Sequence, residues 1–423
     1  MRKIFVRILF CMFSVFTIAI SQELVNAVVS RDIDRLKFIL SQRIDVNMRA
    51  SDGMLPLAIA AQNGDSLIAD LLLKHGAKID ETVRLKTGEK EETEKTALML
   101  AAENGHFGVI ALLSQEHADL DKQAKCILTM DNHTYIGDGR TALMMAVRSR
   151  HTEIVRLLVD RKAKINTQEE AIITLLEPNL KGGYDKPFFT STPVYVKHST
   201  ALHIAVELGD TSTVRLLLQG GADVNIENGW KQTPLVIAVA KGYTSIASML
   251  VANGADVNVQ KNTLSSPLVI ATKNGDKEVA DVLLANGADV HQKAGPIGAP
   301  LLSWAILSAN TDLVKDLLSH GADINATTDN NSTPLHIAAG NGNDEVLSLL
   351  ITKNANINSV NDNGQTPLIL AAKKGQAQTV MTLLIAGADY TLQDHAQKTA
   401  LSYAREGHYQ SIIDMLTKSG AKE

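Results

Sequence analysis

The chain is poor in the residues that staple a fold or carry out chemistry. It has two cysteines, Cys11 and Cys126. The first lies inside an apolar N-terminal run, so loss of that run leaves one thiol and no intramolecular disulfide. Aromatic residues make up 4%, too few for a core of stacked rings, so Leu, Ala and Val must fill the interior. Positive charge is not in excess: the formal net charge is −5, and without a basic stripe nucleic acid is excluded as the main partner. Losing Arg2, Lys3 and Arg7 would take the charge to −8. Also missing are a Gly-x-Ser-x-Gly elbow, a P-loop, a His-Glu-x-x-His pair and a dinucleotide fingerprint. Gly137-Asp138-Gly139 lacks the third glycine and the lysine of a phosphate loop, and reads as a tight turn before Thr141. No enzyme activity, catalytic residue, metal or cofactor is expected.

What is present is a period. Thr-Pro-Leu-His-Ile-Ala occupies Thr333 to Ala338, Thr-Pro-Leu-Val-Ile-Ala occupies Thr233 to Ala238, and Thr-Pro-Leu-Ile-Leu-Ala occupies Thr366 to Ala371. Most copies are answered by Gly-Ala-Asp-Val-Asn or a variant, as at Gly221 to Asn225. The anchor slot falls at Gln22, Leu55, Thr96, Thr141, Thr200, Thr233, Ser266, Pro300, Thr333, Thr366 and Thr399, mostly 33 or 34 residues apart. A fixed period of this size means stacked supersecondary repeats. Thr then Pro starts a helix, because the hydroxyl caps a free N–H and Pro at the first position gives up a donor the helix does not use. Gly209-Asp210, Gly64-Asp65 and Gly275-Asp276 end one helix and start the next. Val214, Leu217 and Leu218 form the apolar stripe of the second helix. Gly221 and Gly254 then turn the chain in the left-handed region.

This helix pair with a projecting turn resembles the ankyrin repeat over residues 22 to 423, as eleven units. The resemblance implies an all-α solenoid with projecting β-turns that binds proteins through its turn tips and inner helices. It also implies that His203 and His336, in the motif's histidine slot, bond between adjacent turns. His75 and His320 precede the glycine that ends a second helix and complement its C-terminus. His133, His151 and His198 have no partner at ligand spacing. Pro300-Leu301-Leu302-Ser303-Trp304-Ala305 departs from the pattern by losing Thr and His. Its Trp304 takes the slot of Ile204, Ile237, Ile270, Ile337 and Leu370, and is expected between repeats.

Residues 1–21 stand outside the period. Arg2 and Lys3 precede an apolar run, and Ala19-Ile20-Ser21 supplies small residues at the −3 and −1 positions, the pattern of a secretory signal peptide cleaved before Gln22. The uncharged run is short of the roughly 20 residues that a spanning helix needs. Expected is an exported, periplasmic or secreted monomer, bacterial rather than eukaryotic, with no membrane insertion after cleavage. In a eukaryote Asn132 and Asn325 would be glycosylation acceptors. A membrane-tethered scaffold with an uncleaved anchor, and an enzyme built from insertion residues, remain as alternatives.

Three insertions lengthen the turns. Glu81 to Lys95 is mostly charged and reads as a solvated flexible loop. Lys122 to Gly139 reads as a β-finger. Gln168 to His198, within a segment set apart as 167–198 between repeat blocks 22–166 and 199–423, is the longest. Its Ala171 to Leu176 reads as a helix extension. Tyr184, Phe188, Phe189 and Tyr195 follow, either as a private mini-core or as a patch for a protein partner. Trp230, at a turn tip where a later repeat carries Asn330, joins them as a candidate contact, because aromatics dominate binding hot spots.

Overall fold

A computed structural model describes residues 22–86, 91–130, 133–169, 172–173, 195–196, 198–261 and 263–422. These residues form eleven helix pairs, the first made of residues 22–29 and Ile33–Ser41. The fold is an all-α repeat solenoid. It divides into two compact halves, Met1–Pro234 and Leu235–Glu423.

The anchor slot works as the side-chain chemistry requires. Thr96, Thr141, Thr200, Thr333, Thr366 and Thr399 each accept the N–H of the third helical residue. Pro56, Pro267, Pro334 and Pro367 sit at helix starts. Leu55 and Pro300, which have no hydroxyl, leave their helices without a side-chain cap. Asp210 and Asp276 cap second helices. Asp65 does not; its Oδ1 pairs with Nε of Arg31 at 3.0 Å. Gly221 and Gly254 have φ of 89° and 88°, the left-handed turn that a β-carbon would disfavour.

Within the first half, Pro56–Asn63, Ala97–Asn104, Ala142–Arg148 and Ala201–Glu207 stack in order, and their partner helices stack behind them. The second half repeats this from Pro267–Asn274 to Ala400–Glu406. The leucine of the hexapeptide is the core residue: Leu98, Leu143, Leu202, Leu268, Leu335 and Leu368 are at most 1% exposed. Each such side chain contributes roughly 1.5–3 kcal/mol of burial, and that is where the array finds its stability.

The insertions depart from two expectations. The first is a hairpin, β1 (Val83–Lys86) and β2 (Glu91–Lys95), rather than a solvated flexible loop. The second is the expected finger, β3 (Lys125–Met130) and β4 (His133–Asp138). β2 pairs antiparallel with β3, so the two hairpins join into one sheet of order β1-β2-β3-β4. Of the charged run that suggested solvation, Lys86 stands opposite Glu92 and Glu94 opposite Arg84 in the register of this sheet. In the third insertion Ile172–Ile173 is a strand, β5, and not a helix extension; it pairs with Tyr195–Val196, β6. Partner pairing across the insertion outweighs any helical bias of so short an apolar run. A last small hairpin, β7 (Lys293–Ala294) and β8 (Ala299–Pro300), precedes the repeat that begins at Leu301.

Candidate functional site

Trp230 is carried by a turn that its own sequence holds rigid. Asn228 is 3% exposed, and its Oδ1 accepts the N–H groups of Trp230 at 2.9 Å and Gln232 at 3.0 Å. Asn228 N–H donates to the Gln232 carbonyl, and Lys231 N–H donates to the Asn228 carbonyl, both at 2.9 Å. Lys231 takes φ of 60° to close the loop. The Trp230 side chain is left 41% exposed, a large apolar ring on a backbone that loses little freedom on binding.

The base of the long insertion is stitched to this same turn. Gln168 Nε2 donates to the carbonyls of His198, at 2.9 Å, and Glu227, at 3.0 Å. The first carbonyl closes the insertion and the second opens the Trp230 turn. Glu169 N–H donates to the Ser199 carbonyl at 2.9 Å, and its buried carboxylate lies 3.4 Å from Arg148. Of the candidate contact residues, the structure thus places Trp230 and the backbone of Tyr195, opposite Ile173. Tyr184, Phe188 and Phe189 lie outside the described residues.

The histidines have structural work. His203 Nδ1 accepts the Thr200 N–H at 3.2 Å, which puts its proton on Nε2, facing the Gln232 carbonyl at 3.1 Å. His336 repeats this with Thr333 at 3.1 Å and the Gln365 carbonyl at 2.9 Å. His75 and His320 donate from Nδ1 to the carbonyls of Leu71 and Asp316 in their own helices. His106 and His151 reach back one repeat, to the carbonyls of Gln62 and Glu103. Among the described residues no three His, Cys, Asp or Glu side chains are grouped to hold a metal ion.

Sequence reasoning missed a second apolar surface, in the second half. Trp304 packs against the preceding repeat as its slot predicts, half-buried like Ile270, Ile337 and Leu370. Gly295 opens the space: a β-carbon there would come within 3.1 Å of the indole and 3.5 Å of Leu264. The Lys273 ammonium stands 5.9 Å from the ring centre. Beside it Leu264 is 43% exposed and Ile297 50% exposed. The signal was available, because Ile297 stands three residues before its anchor slot, as Trp230 does.

A cleft of about 500 Å³ lies between the second helices of the fourth and fifth repeats, lined by Arg156, Asp160, Lys162, Asn166 and Gln219 among others. It presents side-chain amides and charges but no imidazole, thiol or hydroxyl. Among the described residues, no helix is long and apolar enough to cross a membrane.

A comparison with curated proteins finds no match. A family model described as ankyrin repeats, in three copies, matches residues 24–125, 84–169, 180–294 and 302–394. These matches run through most of the chain and coincide with the helix pairs, so this protein belongs to the ankyrin-repeat family.

Proposed function

We propose that this chain is a non-enzymatic scaffold, exported from the cytosol, that binds a protein partner through its turn tips and inner helices. Ankyrin repeats generally mediate protein–protein interaction, and the observation that carries the reading here is Trp230. A tryptophan 41% exposed on an Asn228-locked turn offers ring area at low entropy cost, which suits an interface. The stitching of the insertion base to that turn supports one contact surface from Tyr184, Phe188, Phe189, Tyr195 and Trp230. Export is supported by the cationic start, short apolar run and Ala19-Ile20-Ser21 of the leader.

The test uses the protein recovered from its native compartment. Its intact mass should show the loss of residues 1–21; a full-length mass in the membrane fraction points instead to a tethered scaffold. Partners recovered with that protein should bind the Phe188→Ala, Phe189→Ala, Trp230→Ala triple variant more weakly by about 2 kcal/mol or more, with little change in melting temperature. Normal binding by a folded variant removes these aromatics from the interface.

A further inference from the structure

One slot of the repeat changes character in the second half. Four residues after the anchor, the first half carries Ile59, Leu100, Met145 and Ile204, all at most 8% exposed. The last five repeats carry Ile270, Trp304, Ile337, Leu370 and Tyr403 there, and each is half-buried. Their helices, from Pro267–Asn274 to Ala400–Glu406, stack in order. These side chains therefore form a row of partly open apolar surface, one from each repeat. A second row lies one helical turn further on, at Lys273, Leu307, Gly340, Lys373 and Glu406. The two rows meet, because Lys273 Nζ stands 5.9 Å from the ring centre of Trp304, and Lys373 Nζ 4.9 Å from that of Tyr403. Each lysine reaches from its own repeat to the next.

The turn tips border this face, and their backbones are tied in series. Asp329 N–H donates to the Ile297 carbonyl at 2.8 Å, Asp362 N–H to that of Asn330 at 3.1 Å, and His395 N–H to that of Asn363 at 3.0 Å. A face fixed in this way loses little freedom when it is covered. Its two ends differ in chemistry. At the eighth repeat tip, helix and second row are all apolar: Ile297 is 50% exposed, Leu307 54% exposed, and Trp304 lies half-buried beside them. Cations gather at the tenth and eleventh repeats. Two carboxylates there are already engaged, Glu406 by Lys398 at 2.5 Å and Asp394 by the Tyr403 hydroxyl at 2.6 Å. Lys373 and Lys374 are exposed and, among the described residues, make no ion pair.

We propose that this face receives an extended acidic segment of a protein partner. A bulky apolar side chain of the segment seats on Ile297, Trp304 and Leu307, and its carboxylates meet Lys373 and Lys374. The stretch between them lies along Ile337 and Leu370. Two to three helix spacings separate the ends, roughly 16–30 Å at about 8–10 Å each, and about five to nine extended residues cross that distance. Charge selects against a basic segment, which would set cation against cation at Lys373 and Lys374. The proposal rests on the reading that this chain binds a protein, and adds the kind of segment that its inner helices take. It does not involve the Trp230 turn. Failure of the test below, with native partners still recovered, removes this site and leaves the scaffold reading standing.

The probes are labelled peptides with a Trp-Leu pair and a Glu cluster about seven residues apart, joined by Ser and Thr and made in both chain orders. Control peptides have the same composition with the glutamates next to the Trp-Leu pair. With the protein recovered from its native compartment, fluorescence anisotropy should show one spaced peptide binding about tenfold more tightly than its control, what two exposed ion pairs supply. Hydrogen exchange should slow within residues 295–307 and 367–407. Lys373→Gln with Lys374→Gln changes only exposed side chains and should remove the preference for spacing. Leu307→Gln, also exposed, should weaken the spaced peptide about tenfold, and circular dichroism should stay unchanged in both variants. Equal binding of spaced and control peptides in both orders, a preference that survives the lysine variant, full binding by Leu307→Gln, or protection elsewhere on the chain would overturn the proposal. So would tighter binding of a single-stranded oligonucleotide than of the spaced peptide.

Discussion

Protonating His336 should loosen the ninth repeat from the tenth, and the direction follows from where its proton sits. The ring is 1% exposed. Its Nδ1 receives the Thr333 backbone N–H at 3.1 Å and lies 2.8 Å from the Thr333 hydroxyl. Its Nε2 donates to the Gln365 carbonyl at 2.9 Å. A second proton can only go to Nδ1, where it meets the amide hydrogen of Thr333. Burial also disfavours the cation, and although the backbone at Gln365 and Ser359 favours it, the net effect holds the imidazole below its ordinary value of 6.5. The unfolded chain therefore takes up the proton first. The stability His336 contributes is complete above 6.5. It is lost as pH falls from there through the folded value, at up to about 1.4 kcal/mol per pH unit.

His336→Phe keeps the ring and removes every one of these bonds. It leaves the Thr333 N–H and the Gln365 carbonyl without partners, at roughly 1–3 kcal/mol each, so a loss of about 3 kcal/mol at neutral pH is expected. The assay is urea unfolding followed by hydrogen exchange, comparing residues 334–385 with the first half between about pH 7.5 and 5, the range in which an ordinary imidazole titrates. The native protein should lose stability in residues 334–385 as pH drops, and the variant should start lower and fall less. Parallel pH curves for the two proteins would refute the tautomer argument, because the slope would then belong to other groups.

Gly220→Ala should destabilise the fourth and fifth repeats by about 1–3 kcal/mol through overpacking, since its β-carbon would stand 2.6 Å from Val159 and 2.7 Å from Ile165. The φ of −78° rules out backbone strain as the cause; Val159→Ala in the same chain should therefore recover part of the melting temperature, and no recovery would contradict the steric account. Burial works against the charge of Asp394, but the Tyr403 hydroxyl at 2.6 Å, the Lys398 N–H at 3.0 Å and further bonds from Gln365 and Ala396 outweigh it, holding the carboxyl below 3.8. Its contribution is present above 3.8 and lost as pH falls through the folded value, so acid should raise hydrogen exchange in Ala400–Glu406, and Asp394→Asn should remove part of that acid sensitivity.

The helix pairs were legible because each depends on residues close in sequence: a hydroxyl, then a proline, then a leucine, and a closing glycine. Leu335 and Thr333 can be assigned from one copy of the motif. The β3–β4 finger was legible, but the joined sheet was not, because the pairs that unite its two hairpins join residues far apart, Glu94 with Lys125 above all. Composition sees only a charged run there. Ile172 and Ile173 failed for a related reason, since a short apolar run satisfies either periodicity until a partner strand is known. Trp304 followed its slot, half-buried like Ile270, Ile337 and Leu370, while the exposed Leu264 and Ile297 beside it belong to turns that no repeat position defines. Within the candidate site, Trp230 was found as an aromatic in a polar slot. The Asn228 lock and the Gln168 bridge depend on backbone geometry that no single-residue pattern reports.

The joining of the first two insertions changes the mechanics of that part of the chain. In a simple array, neighbouring repeats hold together along one line of helix contacts, and any weak joint can open alone. Here the second to fourth repeats share a second rail, because β2 leaves the joint between the second and third while β3 and β4 lie at the joint between the third and fourth. Opening either joint under load means shearing strand pairs as well as separating helices. The sheet acts as a splint, and it stiffens the array just ahead of the insertion that carries Tyr184, Phe188, Phe189 and Tyr195.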